Sequence, residues 1–251
     1  MDSQETAIAG KQLKTAMVLA AGLGERMRPL TLERPKPLIE VGGKPLIDWT
    51  LDRFAAAGIE RVVVNTHYKA EMLEAHLRER SGTIRISHEA ERLETGGGVT
   101  KALPLLGDEP FYVANSDSVW LDGPTPALDR MITAWDPDRM DVLLMLMSAP
   151  RSDYYDGPGD FLMDPSGRLA FRPDRRVVPY VYAGLHIASP HSFDGAPEGS
   201  FRLTKVWREA EARGRLFGLV HDGAWFHIGT PDAVEAADSQ LDPRNARWLL
   251  R

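Results

Sequence analysis

The sequence predicts an α/β protein whose mostly parallel central sheet is covered by helices. The chain has 251 residues, of which 43% are hydrophobic and 26% charged, the balance of a protein that buries a sizeable core. The runs Ala16–Ala21 and Val142–Ser148 are short and almost continuously apolar, which is typical of strands buried on both faces. Strand-like and helix-like stretches alternate through the first half, and this order predicts parallel strands joined by crossover helices.

Hydrophobic periodicity predicts the elements of the first half in turn. The clearest helix is 45–57, where Leu46, Ile47 and Phe54 recur at roughly helical spacing and Gly58 occupies the position of a C-terminal glycine cap. The predicted strands are 16–21, 61–66, 83–87, 111–115 and 142–148. The helices predicted between them are 45–57, 69–80, 99–106 and 128–135.

The second half is less regular. Residues 154–167 are rich in Gly, Pro and Asp, which predicts mostly loop. Strands are predicted over 168–172, 180–188 and 216–220, with helices over 203–213 and 230–239. Because no linker or repeat divides the chain, we predict a flexible N-terminal extension at 1–14, one domain at 15–240 and a C-terminal tail at 241–251, with the later elements packed onto the same sheet.

Composition excludes several classes of function. The chain has no cysteine, which excludes disulfides, thiolate metal sites and cysteine nucleophiles. A formal net charge of −6 predicts no general attraction to nucleic acid. The longest apolar runs are far shorter than the ~20 residues that cross a bilayer, and residues 1–14 lack the apolar core of a signal peptide. We therefore expect a soluble, cytoplasmic protein without membrane or nucleic-acid partners, as a monomer or small homo-oligomer.

The most informative motif is a glycine loop that follows the first predicted strand. Gly22 and Gly24 have no Cβ, so backbone N–H groups there can approach an anion closely. The dinucleotide-binding fingerprint fails because Met27 stands where its third glycine should be. A P-loop also fails, because Lys44 is followed by Pro45 and the required earlier glycine is missing.

Two basic residues accompany the glycine loop. Arg26 lies two positions after Gly24, and Lys36 stands between Pro35 and Pro37. The prolines restrict the local backbone, so the ammonium group can be presented at little ordering cost. The pattern predicts an anion site, although any single cation of this kind is commonly just solvated.

The stretch LAAGLGERMRPLT…RPKPL resembles the opening of the sugar-1-phosphate nucleotidyltransferases. The resemblance continues in VGGKPLI, LETGGG and WFHIGTP and covers about residues 15–239. LETGGG, followed by KALPLLGD, is most similar to the short bacterial N-acetylmuramate-1-phosphate uridylyltransferases of cell-wall recycling. The resemblance implies a Rossmann-like three-layer sandwich with a mixed, mostly parallel sheet, the glycosyltransferase-A-like nucleotidyltransferase fold.

The resemblance implies a reaction that joins a nucleoside triphosphate and a sugar 1-phosphate into a nucleotide sugar and pyrophosphate. UTP and N-acetylmuramate 1-phosphate are the favoured pair. The alternatives are a GTP-dependent mannose-1-phosphate guanylyltransferase and a non-catalytic nucleotide-sugar-binding regulatory protein. A phosphate monoester is already anionic at neutral pH, with a second pKa of about 6, so no general base is needed. The chemistry reduces to positioning and charge neutralisation, for which the resemblance implies Arg26, Lys36 and Asp117.

The predicted metal ligands are Asp117 and His227. Asp117 closely follows the predicted strand 111–115 and so falls at the carboxyl edge of the sheet, where open α/β sheets bind ligands. The resemblance implies Mg²⁺, an ion that binds few protein carboxylates and keeps several waters. Many relatives have an acid where this chain has His227; an imidazole suits Mn²⁺ or Co²⁺ better than Mg²⁺.

The resemblance also implies the remaining binding residues. For the nucleotide these are Leu19, Ala20, Ala21, Gly22, Gly24, Glu91, Thr95, Gly96, Gly97 and Asn115, with the glycines of 96–98 expected to let the backbone approach the base and ribose. For the sugar they are Gly159, Asp160 and Gly184. Three nearby arginines offer further positive charge but also fit a solvated loop: Arg172, Arg175 and Arg176.

Overall fold

A nine-stranded mixed sheet forms the centre of the molecule, in a computed structural model that describes residues 12–80, 82–149, 155 and 157–241. Its strands are β1 (Thr15–Leu19), β4 (Arg61–Thr66), β5 (Ile84–His88), β6 (Phe111–Asn115), β8 (Val142–Ser148), β9 (Phe161–Met163), β10 (Leu169–Phe171), β11 (Tyr180–Ala188) and β12 (Leu216–Val220). Two separate ribbons pair β2 (Glu40–Val41) with β3 (Lys44–Pro45) and β7 (Ser118–Leu121) with β13 (Ala224–His227). The helices are α1 (Leu30–Glu33), α2 (Leu46–Ala56), α3 (Ala70–Glu79), α4 (Glu94–Leu106), α5 (Ala127–Ala134), α6 (Thr204–Ala212) and α7 (Pro231–Leu241).

Four neighbouring strands, in the order β6, β1, β4 and β5, run parallel. Leu19, the last residue of β1, pairs with Asn65 on one side and Asn115 on the other. The carboxyl ends of these strands therefore meet at one edge. Beyond β6 the sheet becomes mixed, because β11 and β8 are antiparallel neighbours and β12 pairs parallel to β8. The prediction of a mixed, mostly parallel sheet is confirmed.

Helices cover both faces of the sheet, because the strands are apolar on both sides. Along β1, Val18 belongs to the hydrophobic cluster formed with Phe54 of α2 and Met131 of α5. The adjacent residue, Met17, belongs to the cluster on the opposite face, with Val99 of α4. Successive strand residues point to opposite faces, so this continuous apolar run supplies two cores at once. The result is the expected three-layer arrangement.

Two local predictions need correction. The helix predicted over 99–106 begins five residues earlier, at Glu94, because the carbonyl of Phe201 accepts hydrogen bonds from the first-turn N–H groups of Gly96 and Gly97 (2.8 and 3.2 Å). The segment predicted as mostly loop, 154–167, has that character in its described residues and includes one short strand, β9. The later elements do not all pack onto the main sheet as predicted, because β13 pairs with β7 in a separate ribbon.

The predicted terminal segments fall largely beyond the described residues. Residues 1–11 and 242–251 lie outside them, so the domain boundaries at 14 and 240 stay predictions. Within the described chain Leu13 is buried and Gln12 Nε2 donates to the carbonyl of Ala57 (3.0 Å). None of the described helices combines the length and apolar character needed to cross a membrane.

Candidate active site

A cavity of about 490 Å³ opens at the carboxyl edge of the four parallel strands. We distinguish two groups among the residues that line this cavity. We call the first the cationic end; it contains Gly22, Gly24, Arg26, Lys36 and Asp117. We call the second the Asn65 end; it contains Ala20, Asn65, Glu89, Arg92, Glu94 and Thr95.

The glycine loop connects β1 to the cationic end. Gly24 has a φ of +65°, and a Cβ there would lie 2.7 Å from Thr31 Cγ2 and 3.2 Å from Lys36 Cβ. Thr31 Oγ1 also donates to the carbonyl of Gly24 (2.9 Å). Glycine is therefore required at position 24 both by conformation and by close packing. At Gly22 a Cβ would meet nothing within 4 Å, so the loop leaves open space there on the cavity wall.

Lys36 and Asp117 form an ion pair at the cationic end, with 2.5 Å between Nζ and Oδ2. The two side chains are only 13% and 22% exposed, so their attraction is weakly screened. Burial alone raises the pKa of Asp117, but the charges of Lys36 and His227 outweigh burial and hold that pKa below its ordinary value. The carboxylate is therefore ionised and available to a cation at neutral pH.

The ribbon of β7 and β13 carries His227 to the same place. His227 pairs with Ser118 in the ribbon, one residue after Asp117, and its ring stacks on Trp225 with 5.7 Å between centroids. Burial lowers the pKa of His227, and Lys36 and Arg26 lower it further against the opposing charge of Asp117. The imidazole is therefore mainly neutral at pH 7, the form that can ligate a metal.

Asp117 and His227 fit a divalent cation that is shared with a ligand. Among the described residues, no group of three or more His, Cys, Asp or Glu side chains could enclose a metal ion. One carboxylate and one imidazole leave most coordination positions to phosphate oxygens and water, which suits an ion such as Mg²⁺. The chemistry of the donors is thus consistent with a metal that binds together with substrate.

The Asn65 end is built from a buried hydrogen-bond network. The N–H of Ala20 donates to Asn65 Oδ1, and Asn65 Nδ2 donates to Glu89 Oε1, both at 2.7 Å. Glu89 Oε2 accepts from the N–H of Leu93 at 3.3 Å. Sequence reasoning missed Asn65 and Glu89. The rule that singled out Asp117, a polar residue at the carboxyl end of a buried strand, could have found both.

Most predicted nucleotide residues line the cavity, and three do not. Those that line it are Leu19, Ala20, Ala21, Gly22, Gly24, Thr95 and Asn115, together with Arg26, Lys36 and Asp117. Glu91, Gly96 and Gly97 lie outside the lining. A Cβ on Gly96 would collide with the ring of Phe201, and one on Gly97 with the carbonyl of Gly199. These two glycines therefore make room for residues 199–201 of the chain itself, and their place at the base and ribose stays a prediction.

The predicted sugar residues lie beyond the cationic end rather than in the cavity lining. Asp160 Oδ2 accepts from the N–H of Tyr182 (2.9 Å); burial raises the pKa of Asp160, while that hydrogen bond, Arg172 and His227 oppose the shift. Gly184 has a φ of +84°, and a Cβ there would collide with Ser118. On the same side, Gly159 has a φ of +78° and its N–H donates to Tyr155 Oη (3.1 Å). Asp160 and Gly184 thus lie close to the segment that carries Asp117 and His227.

A glycine loop, two basic side chains and an ionised carboxylate at the edge of a parallel sheet define an α/β enzyme that binds phosphate groups. The chain belongs to the nucleotidyl transferase family, which matches residues 15–155. Enzymes of this family generally use divalent metal ions.

Two relatives and one solved structure show how far the similarity extends. The chain is 47% identical over 234 residues to an N-acetylmuramate alpha-1-phosphate uridylyltransferase of Caulobacter vibrioides, covering 91% of this chain and 97% of the relative. It is 37% identical over 236 residues to the protein of that name from Neisseria meningitidis serogroup B, covering 89% and 96%. A UDP-glucose pyrophosphorylase complexed with UDP-glucose has the same fold, with a TM-score of 0.74 at 19% identity over 96% of this chain and 100% of that one.

Proposed function

We propose that the protein transfers the uridylyl group of UTP to N-acetylmuramate α-1-phosphate, giving UDP-N-acetylmuramate and pyrophosphate. The names of the two relatives, matched over nearly their full lengths, support this choice of substrates. The observation that carries the reaction type is the cationic end, where Lys36 and Asp117 meet at 2.5 Å beside the glycine loop and Arg26. A role in cell-wall recycling and a cytoplasmic location are part of this proposal.

The reaction needs charge stabilisation more than proton transfer. An oxygen of the sugar phosphate attacks the α-phosphorus, the new P–O bond forms, and the bond to the leaving pyrophosphate breaks. The attacking oxygen is already anionic, so no side chain has to remove a proton. Arg26 offers a planar guanidinium that can grip two oxygens of the leaving group, while Lys36 supplies a compact charge near the reacting phosphates.

Asp117 and His227 are the side chains that would hold the cation, which we propose is Mg²⁺. The bound ion would neutralise phosphate charge during transfer. Asp117 provides the anionic ligand, and the imidazole makes Mn²⁺ or Co²⁺ acceptable alternatives. Gly159, Asp160 and Gly184 lie outside the cavity lining, with Gly184 packed against Ser118, and we propose that the sugar binds there while the nucleotide fills the cavity.

The test is a matrix of four nucleoside triphosphates against the 1-phosphates of N-acetylmuramate, N-acetylglucosamine and mannose, measured as pyrophosphate release. We expect the largest kcat/KM for UTP with N-acetylmuramate 1-phosphate, and Lys36→Ala serves as the inactive control. If kcat/KM is largest for GTP with mannose 1-phosphate, the proposed substrates are wrong and the reaction class stands. Absence of turnover with every pair would favour a nucleotide-sugar-binding protein and contradict the proposal.

A further inference from the structure

Glu94 has an unusual backbone for its residue type. Its φ is +58°, in the left-handed region that favours glycine. In the described part of the chain only Lys69 and Arg175 share this property among non-glycine residues, and neither lines the cavity. Backbone strain of this kind concentrates at ligand sites, so its position in the cavity lining makes Glu94 a candidate for ligand binding.

The backbone around Glu94 is fixed by the segment that follows Gly199. Phe201 N–H donates to the carbonyl of Leu93 (3.1 Å), and Leu203 N–H donates to Thr95 Oγ1 (3.0 Å). Together with the bonds from Gly96 and Gly97 to Phe201, these contacts impose the left-handed turn. A glycine would satisfy the turn without strain, so packing does not explain the glutamate.

The side chain of Glu94 lines the Asn65 end of the cavity and keeps room for a hydrogen-bond donor. Oε1 is paired with the guanidinium of Arg92, whereas Oε2 lies 3.8 Å from Arg202 Nε, beyond hydrogen-bond range. Glu89, the other carboxylate that lines this end in the described chain, already accepts at both oxygens from Asn65 and Leu93. Glu89 is also only 1% exposed, whereas the Glu94 side chain is 26% exposed, so Glu94 is the carboxylate that a ligand can reach.

The polarity of the cavity indicates which part of a nucleotide meets Glu94. The triphosphate belongs at the cationic end, and a carboxylate would repel it. At the Asn65 end, Ala20, Asn65 and Glu89 form a floor that is at most 3% exposed and suits the flat base. The side chain of Glu94 is 26% exposed and lies nearer the mouth. The ribose joins base to phosphates and carries two hydroxyl donors, which match a carboxylate acceptor.

We infer that Glu94 accepts a hydrogen bond from the ribose 2′-hydroxyl and makes the enzyme select ribonucleoside over 2′-deoxyribonucleoside triphosphates. This inference rests on the proposed function only in assigning a nucleoside triphosphate to the cavity. A hydrogen bond to a charged acceptor corresponds to roughly 10- to 100-fold in affinity. Glu94 is a specificity-determining residue that acts before the transfer step.

The test compares the binding of UTP and 2′-deoxyuridine triphosphate by calorimetry, with Mg²⁺ present and without the sugar phosphate. We expect the wild type to bind UTP about 10-fold or more tightly than 2′-deoxyuridine triphosphate. The Glu94→Gly variant should bind the two nucleotides equally. Because glycine relieves the turn, that variant should fold; Glu94→Gln, which keeps the shape, provides a second test and should lose part of the preference. Lys69→Gly is the matched control, since it relieves a positive φ of 49° outside the cavity and should leave the preference unchanged.

Equal affinities of the wild type for the two nucleotides, or an undiminished preference in both Glu94 variants, would overturn the inference. Failure of the wild type to bind either nucleotide would overturn it together with the proposed function. Selective binding of UTP without transfer to any sugar 1-phosphate would contradict the proposed function alone, because binding is measured without the second substrate.

Discussion

The two ends of the cavity differ in the interactions that form them: an ion pair at the cationic end and a buried hydrogen-bond network at the Asn65 end. At the cationic end, the side chains of Lys36 and Asp117 form an ion pair with 2.5 Å between Nζ and Oδ2. At the Asn65 end, Asn65 holds the N–H of Ala20 in a buried network completed by Glu89. Charge placed where the phosphates react should govern turnover, whereas a rigid hydrogen-bonded wall should govern affinity for the nucleotide. The following experiments test that separation.

The largest effect should come from Asp117→Asn, which keeps the shape of the side chain and removes the charge that anchors the cation. We expect activity to collapse and added Mg²⁺ to restore only part of it. The measurement is the initial rate across a Mg²⁺ titration, with folding checked by circular dichroism. Full activity at ordinary Mg²⁺ would exclude Asp117 as a principal metal ligand.

Lys36→Ala and Arg26→Ala should each lower kcat by about 10²-fold or more, the scale for losing one positioned stabilising charge. Neither side chain belongs to the hydrophobic clusters, so Arg26→Ala should change the thermal midpoint little. Lys36→Ala leaves the largely buried Asp117 carboxylate without its partner and should lower the midpoint, so kcat is compared at a temperature where both variants are folded. Lys44→Ala is a matched control, because Lys44 pairs with Asp52 (2.5 Å) and lies outside the cavity lining. A near-normal kcat in Lys36→Ala or Arg26→Ala would refute the role assigned to that residue.

Asn65→Ala should act mainly on nucleotide affinity and so distinguish the two ends most directly. Loss of both hydrogen bonds leaves the N–H of Ala20 without its acceptor and Glu89 Oε1 without its donor, at a cost of about 1–3 kcal/mol. We expect the KM for the nucleotide to rise about 10-fold with a much smaller change in kcat. The control is Thr66→Val, which removes the partly buried hydrogen bond from Thr66 to Glu74 (2.8 Å) outside the cavity lining. A fall in kcat with unchanged KM would contradict the assigned division.

The smallest effect concerns the metal. His227→Asp should tighten Mg²⁺ binding by a modest factor, because a carboxylate is a better partner for this ion than an imidazole. The wild type should accept Mn²⁺ or Co²⁺ at least as well as Mg²⁺, and the variant should shift that preference toward Mg²⁺. Direct metal titration of both proteins in the presence of nucleotide measures the change. Identical affinities in the two proteins would place His227 outside the set of metal ligands.

The sequence by itself determined the elements that depend on local pattern. The bounds of β4, β6, β8, β11 and β12 coincide with the predicted strands, because continuous apolar runs can be buried only within a covered sheet. Gly24, Lys36 and Asp117 were also predicted from local signals: a glycine after a strand, a lysine between prolines and an acid at the end of a strand. Gly24 and Asp117 meet because they follow β1 and β6, neighbouring parallel strands that share one carboxyl edge, and Lys36 packs against Gly24.

Only the tertiary structure decided the features that depend on distant partners. Helix α4 begins at Glu94 because the remote carbonyl of Phe201 accepts its first N–H bonds, which overrides the low helix propensity of three glycines. His227 reaches Asp117 because β13 pairs with β7 and not with the main sheet. Likewise, Asn65 becomes part of the cavity only when Glu89 fixes its amide. Such contacts join residues with no shared periodicity, so local propensity contains no signal for them; burial and hydrogen-bond satisfaction across the folded chain select them.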